Sequence, residues 1–507
     1  MPTILGSTEV FRGRDSELHL SGSGLALVRG SVATEGAAWE EVAGAEVGSS
    51  RKAVAVSFVD GRGPWTILGL KPEEAAWAQA LVAQGVARAQ LYADPRLAQP
   101  LGLDAIAEAV AAFSALEPPE AAALADLLMV QAAHNRATDV HLQPEANGMA
   151  VAYRIDGHLR PVAMIGAEIG ARVVARMKVM AGMKSYRRNL AQTGAATFPV
   201  AGRTIDARCT CLPTVRGEKL TLRLFDPAQA LLDVSTLGME KAVLAAFVDL
   251  LSRPRGCVLL TGPAGSGKTT TMYAALASIQ AATPDRSIAT VEEPVELELS
   301  GAAQTEVNRD VGLDFADGLR TALRQDPQVL MVGEIRDAET ANIAVQAGLT
   351  GHLVFSTVHA PSSAGVFTRL TQLGVEPYLV ASSVTAVMAQ RLVRKVCSEC
   401  FSAHVPTADE LAWLGIGPGD LAGGTPRRGR GCDVCGGTGY LGRVGLFALL
   451  PVTETMRDAL LSLQPMSRLE AIAAEEGVGD LWTAGLAKVS QGLTTVEELR
   501  AVLGPRM

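Results

Sequence analysis

No apolar run in this chain approaches the roughly 20 residues that a membrane-spanning helix needs. Any attachment to a bilayer is therefore expected to pass through a partner. The N-terminus, Met1-Pro2-Thr3-Ile4, lacks a charged segment followed by an apolar one, so no secretory signal is expected and the protein should stay in the cytoplasm. Positive charge is not in excess: the formal net charge is −8, which leaves no global field to draw the chain onto nucleic acid or anionic lipid. A local basic face can still sit within an acidic total. Cysteine is scarce, with seven residues, yet four of them stand in two Cys-x-x-Cys pairs, a pattern that favours metal over disulfides in a reducing compartment. Internal repeats and low-complexity tracts are absent. What is abundant is apolar residues, 48% of the 507, enough for several cores and roughly three or four domains of about 150 residues each.

Residues 1–90 read as short strands followed by a helix. Glu17-Leu18-His19-Leu20 and Ala53 through Val59 alternate like strands, Asp60-Gly61-Arg62-Gly63-Pro64 reads as a turn, and Lys71-Pro72-Glu73-Glu74 opens a helix to about Ala89. A small pleckstrin-like barrel and an unspecified α+β adaptor domain fit this pattern equally. Residues 91–117 look like a helical linker. A smaller α+β domain over 118–227 is expected to hold helix 120–135, strands at Val140–Leu142 and Ala150–Ile155, a turn at Asp156-Gly157, helix 167–182, and strands near 204–210 and 219–225. After a connector at 228–240, apolar strands alternate with helical patterns from 241 to about 394, the rhythm of a parallel sheet covered by helices. A cysteine segment follows at 395–440 and a helical region over 441–507.

Cys257-Val258-Leu259-Leu260-Thr261 is a short buried-strand candidate. It runs directly into Gly262-Pro263-Ala264-Gly265-Ser266-Gly267-Lys268-Thr269, and Thr270 continues into a helix. This strand, loop and helix is the context a phosphate-binding loop requires. Its glycines let backbone N–H groups turn inward on phosphates, and the helix N-terminus favours anions. Lys268 is expected to reach the β- and γ-phosphates of ATP, and Thr269 to hold Mg²⁺ through its hydroxyl. A second buried strand, Val329–Val332, ends in Gly333-Glu334-Ile335-Arg336-Asp337, where Glu334 is placed to orient Mg²⁺ or polarise an attacking water. Thr290 to Glu296 sets Glu292, Glu293 and Glu296 at another strand end, where they are either metal and water ligands or ordinary surface charge.

The run Gln325-Asp326-Pro327 through Thr340, together with Thr350-Gly351-His352 through His359, resembles the secretion ATPases of type II secretion and type IV pilus assembly. In that family the stretch at 290–296 resembles an aspartate box, 329–337 the Walker B segment and 350–359 a histidine box. The likeness extends over about residues 118–500. It implies a cytoplasmic homo-hexamer at the inner face of the membrane, each subunit being a smaller N-terminal half and a RecA-like ATPase core that rotate against each other. By the same resemblance Arg208 and Arg223 are closing arginines for the γ-phosphate, Arg320 and Arg324 are candidates for the subunit junction, Glu293 is catalytic, and His359 senses or couples nucleotide state. The implied partners are an inner-membrane platform protein and a membrane-anchored cytoplasmic adaptor docked by residues 1–90. No nucleic acid is expected.

Three departures from the family stand out. Glu293 replaces Asp, Ala360-Pro361 replace a Thr-Asn pair, and Ala191-Gln192-Thr193-Gly194 replaces Pro-Gln-Asp-Gly. The changes at Glu293 and Ala360-Pro361 motivate one alternative, a weakly hydrolysing regulatory subunit. A DNA-uptake or conjugative relative is another. Cys397, Cys400, Cys432 and Cys435 supply four thiolates for a closed tetrahedral Zn²⁺ site with a structural role. With Thr438 through Arg443 this segment resembles the assembly ATPases rather than the retraction ones. Cys209, Cys211 and Cys257 read as buried fillers.

Overall fold

In the computed structural model the described residues are 9–12, 16–21, 24–29, 32–38, 41–47, 53–58, 64–68, 70–92, 99–115, 121–200, 202–226, 233–417, 421 and 424–504. The expected turn at 60–63, residue 59, residues 93–98 and 116–117 of the linker, 228–232 of the connector and the N-terminal 1–4 lie outside them. The chain divides into two compact units, Met1–Ile155 with Leu159–Leu224, and Asp156–His158 with Phe225–Met507. Among the described residues no helix is long and apolar enough to cross a membrane.

The first unit begins with an antiparallel sheet of four strands, Glu9–Arg12, Glu17–Ser21, Gly24–Arg29 and Val32–Ala38, and a second of three, Val42–Val47, Ala53–Phe58 and Trp65–Leu68. Strand alternation sends Leu18, Leu20, Val54, Val56 and Ile67 inward, where Ala75, Ala78, Leu81 and Val82 of the helix Pro72–Tyr92 meet them. A six-stranded antiparallel sheet follows, in the order His158–Ile165, Gly148–Ile155, Ala137–Glu145, Gly217–Phe225, Arg203–Thr214, Gln192–Val200. Helices Ala121–His134 and Ala167–Met180 pack on it. So does Leu103–Ser114, in the stretch expected as linker, which buries Ile106, Val110 and Phe113 in the same core. Cys209 and Cys211 are fully buried there.

Two strands of this sheet, His158–Ile165 and Gln192–Val200, have no counterpart among the expected elements. Each carries a proline, Pro161 and Pro199, and each is a sheet edge, a place where a strand tolerates a missing N–H. In the altered Ala191–Gly194 run, Gln192 holds the preceding loop by accepting from the Lys184 N–H and donating to the carbonyls of Lys184 and Arg187. A Cβ on Gly194 would come within 2.0 Å of the Ala181 carbonyl. Ala191 and Thr193, the two residues that depart, take no part in those bonds.

The second unit is built on a seven-stranded sheet in the order Ala302–Glu306, Ile288–Glu292, Val329–Val332, Leu353–Thr357, Gly256–Thr261, Val384–Val396, Tyr440–Pro451. All pairs are parallel except the last. Helices cover both faces, so the central strands are buried throughout. Cys257, Leu259, Leu330, Val332 and Val387 join one core. Val258, Leu260, Met331, Phe355 and Met388 join the other. The strand Tyr440–Pro451 completes this sheet from beyond the cysteine segment, inside the region expected to be helical. Four helices follow it: Glu454–Leu461, Met466–Glu475, Leu481–Ser490 and Val496–Leu503.

The last helix is pinned to the strand that flanks the phosphate loop. Glu498, 2% exposed, accepts from the Arg394 N–H at 3.0 Å and from its guanidinium at 2.9 and 2.6 Å, while that guanidinium lies 4.1 Å above the Tyr440 ring. Removing one partner leaves the other charge desolvated. Glu498→Ala is therefore expected to lower stability by about 3 kcal/mol or more, read as a lower urea midpoint at unchanged denaturant slope.

Candidate functional site

The Gly-rich loop leaves the carboxyl end of Gly256–Thr261, a strand buried along its whole length. Its turns demand glycine: φ is +153° at Gly262 and +85° at Gly267, and a Cβ at Gly262 would strike the Gln390 carbonyl at 2.4 Å and Ser266 Oγ at 2.6 Å. Pro263, Ala264 and Gly265 form the exposed lip of the loop, while Thr269 and Thr270 are half-buried in the first helical turn. The helix Lys268–Ala282 starts at Gly267 with no side-chain cap and no acidic residue in its first turn. Its leading N–H groups are thus left for an external acceptor. Ser266 Oγ is buried and without a hydrogen-bond partner. These are the features of a loop shaped for a phosphate chain.

Lys268 folds across the loop, donating from Nζ to the carbonyls of Gly262 at 2.8 Å and Pro263 at 2.9 Å. Burial lowers its pKa, the charge of Glu334 opposes that shift, and Arg391 adds to it. Glu334 follows the strand Val329–Val332, whose end is fixed to Leu353–Thr357 by Thr357 Oγ1 donating to the Gly333 carbonyl at 2.9 Å and Ser356 Oγ to Val332 at 2.8 Å. His359, just past that neighbouring strand, brings Nε2 to 3.7 Å from a Glu334 carboxylate oxygen. Lys268, Glu334 and His359 therefore gather at one edge of the sheet. The altered residue Ala360 also serves here, because its backbone carbonyl and N–H both bond Thr261 Oγ1, at 2.9 and 3.2 Å.

The three carboxylates of the 290–296 stretch separate into different roles. Glu292, 2% exposed, accepts from Tyr273 Oη at 2.5 Å, Thr290 Oγ1 at 2.5 Å and Gln304 Nε2 at 3.1 Å. The same tyrosine oxygen accepts from the N–H groups of Glu296 and Leu297. This is a saturated internal knot that sets the course of the loop. Glu293, one residue on, turns outward into a fork from Arg309 at 2.9 and 3.2 Å. Arg336 lies 3.6 Å from Glu293 and in tight contact with Glu334, so it bridges the two carboxylates. The Glu334 hydrogen bond raises its pKa. Arg309, Arg336, Tyr273 and the buried role of Glu292 did not emerge from sequence reasoning. Arg336 stands inside a run already singled out, which was the one available signal.

The remaining arginines are placed by their own elements. In the first unit, Arg208 is exposed on Arg203–Thr214. Arg223 donates to Asp139 at 3.0 Å with its side chain 64% exposed. In the second unit, Arg320 is engaged by Asp317 and Glu339, and Arg324 is exposed at the end of the helix Phe315–Leu323.

The four candidate zinc ligands do converge. Their sulfurs all lie within 4.8 Å of one another, with Cys397 to Cys432 at 3.9 Å, Cys400 to Cys435 at 3.9 Å and Cys432 to Cys435 at 3.7 Å. Tetrahedral Zn²⁺ with bonds of about 2.3 Å places its sulfurs about 3.8 Å apart, and a disulfide would need about 2.05 Å. The donor set fits zinc. Burial works against a thiolate at Cys435, but the N–H groups of Cys432 and Gly439, together with the thiols of Cys432 and Cys400, outweigh it and bring the thiol down to about 6. Gly431 N–H donates to Cys400 Sγ at 3.3 Å. Cys257 packs elsewhere, its thiol against the Ala344 carbonyl and Ser383 Oγ. Purified protein is expected to carry one Zn²⁺ per chain, measured by metal analysis. Cys400→Ala should lose it together with several degrees of melting temperature.

A family model describing the type II/IV secretion system protein matches residues 118–501. The chain is 44% identical to type II secretion system protein E of Klebsiella pneumoniae over 337 residues, which is 66% of this chain and 67% of that one. It is 41% identical to the type IV pilus assembly ATPase PilB of Thermus thermophilus over 365 residues, covering 72% of this chain and 41% of that longer protein. Among solved structures, the Legionella pneumophila ATPase DotB superposes with a TM-score of 0.54 at 20% identity, covering 74% of this chain and 94% of DotB. The pilus retraction motor PilT with bound ADP gives 0.51 at 24% identity, covering 74% and 95%. Both share the fold.

Proposed function

We propose, from the premise that this chain belongs to the type II/IV secretion system protein family, that it hydrolyses Mg²⁺-bound ATP to drive pilin or pseudopilin assembly. One observation supports this above the others. At the carboxyl edge of a parallel sheet, a lysine on a glycine-rich loop with an uncapped helix start lies within the field of a carboxylate, Glu334, that ends another strand two places away. Lys268 and the loop N–H groups hold the phosphates, and Thr269 would hold a Mg²⁺ ion, whose contribution when bound would be charge neutralisation at the γ-phosphoryl group. Glu334 orients the attacking water and accepts its proton, with His359 alongside. Arg336 keeps Glu334 and Glu293 from repelling each other. Arg208, which is exposed, and Arg223, whose side chain is 64% exposed although it is paired with Asp139, are the cations this reading assigns to the developing charge, as the family resemblance implies.

In this reading the protein works as a homo-hexamer on the cytoplasmic face of the inner membrane, with a platform protein and an anchored adaptor. The seven N-terminal strands in sheets of four and three, closed by one helix, support a pleckstrin-like domain as the adaptor contact. The four-thiolate segment favours an assembly motor over a retraction motor.

The full-length protein is expected to release phosphate from ATP in a Mg²⁺-dependent manner. Glu334→Gln should keep nucleotide affinity while losing turnover by about 10²-fold or more, and Lys268→Ala should lose both. Turnover by Glu334→Gln equal to the parent's would remove Glu334 from the reaction. A background rate in the parent, even with its platform partner present, would favour a regulatory subunit. Light scattering reads the assembly state directly, and a fully active monomer would rule out the ring.

A further inference from the structure

The strand Val384–Val396 runs beside the phosphate-loop strand and continues past its end. Thr261 pairs with Ala389, which sets Gln390 and Arg391 against the loop itself. Gln390 is fixed: it is 2% exposed and accepts from Thr271 Oγ1 at 3.0 Å. Arg391 donates from Nη1 to the Gln390 carbonyl at 2.9 Å. The same nitrogen would lie 3.2 Å from a Cβ on Gly262, so the absence of a side chain there lets the guanidinium rest on the first residue of the loop.

The other arginines near the edge of this sheet are held by carboxylates: Arg309 by Glu293, Arg336 by Glu334 and Glu293, Arg320 by Asp317 and Glu339. Arg391 differs. Among the described residues no carboxylate pairs with it, and burial lowers its pKa with no opposing anion. Lys268 registers Arg391 as a second positive charge that disfavours its own. Two half-buried cations therefore converge on a loop whose helix start is uncapped. Desolvating a cation without a counter-charge costs free energy, and an anion bound between the two would remove that cost.

We propose that Arg391 is a direct ligand to the phosphate chain of the bound nucleotide, a second cation supplied in cis by the strand flanking the loop. The assignment rests on the ATP-binding reading above. The guanidinium fork offers paired donors that suit phosphate oxygens better than a lysine would. The ligand class is a nucleoside di- or triphosphate, and the recognised portion is the polyphosphate rather than the base.

The test uses the full chain, with Arg391→Gln, Arg391→Lys and Arg391→Met, titrated calorimetrically with ADP, ATP and inorganic tripolyphosphate. Arg391→Gln should weaken all three by about tenfold, equivalent to about 1.4 kcal/mol. Arg391→Lys should recover part of that loss. The ligand-free melting temperature should hold or rise, because an unpaired buried charge has been removed. Should Arg391→Gln not fold, Arg391→Met, which keeps part of the buried stem, carries the same comparison. Affinities equal to the parent's in a folded variant overturn the assignment, as does a lower ligand-free melting temperature with unchanged affinity, the signature of a purely structural arginine. If the folded parent binds none of the three ligands, the ATP-binding reading falls and Arg391 with it. If the parent binds and the variants match it, only Arg391 falls.

Discussion

The hydrogen-bonded register of the strand Gly256–Thr261 sets the positions of the phosphate loop, His359 and Arg391 relative to one another. On one side Leu260 pairs with Thr357, and on the other Thr261 pairs with Ala389. These two ladders fix where three chain segments leave the sheet: the phosphate loop, the segment carrying His359 and the segment carrying Arg391. A parallel ladder buried on both faces has no water with which to exchange its hydrogen bonds, and a one-residue slip would move Leu260 and Leu259 into each other's cores. The edge where Lys268, Glu334 and Arg391 gather is therefore specified by packing well away from the chemistry.

The charges at that edge fall into two kinds. Glu293, Glu334, Arg309 and Arg336 neutralise one another in a chain of ion pairs. Glu292 is satisfied by three neutral donors and belongs to the framework. Lys268 and Arg391 rest on carbonyl oxygens, partners that a phosphate oxyanion can outcompete because charge-assisted bonds are stronger. The site thus keeps its acid–base groups in order internally while leaving its phosphate-facing cations on weaker partners.

Much of this was legible in the sequence because the relevant signals are local. The loop is eight consecutive residues, Glu334 ends an apolar run, and the cysteine pairs announce themselves by spacing. Properties that depend on pairing between distant segments were not legible. Arg391 gains its meaning only from lying against Gly262, a relation set by a ladder between residues more than a hundred positions apart. Glu292 and Glu293 look alike in a row of carboxylates, yet strand geometry sends one inward and the other out. Pro161 and Pro199 disguised two strands because a proline within a run argues against a strand unless that strand lies at an edge or the proline at a start or bulge. Tyr440–Pro451 was obscured by its position between a metal segment and a helical tail, since it reaches the sheet only after the chain has returned from the cysteines.

That return gives the cysteine segment an architectural consequence. The strands on either side of it pair directly, Val396 with Tyr440, and Cys397 follows the first while Gly439, whose N–H donates to Cys435 Sγ at 3.2 Å, precedes the second. The four sulfurs act as a clasp at the base of a long hairpin. What lies between the second and third cysteines sits outside the clasp, and loop closure depends only weakly on length. Part of this stretch is nonetheless packed back: Leu414 is buried in one small core with Val393, on the strand that bears Arg391, and Leu446, on the returning strand. The two strands are thus held together twice at this end, once through sulfur and once through apolar packing.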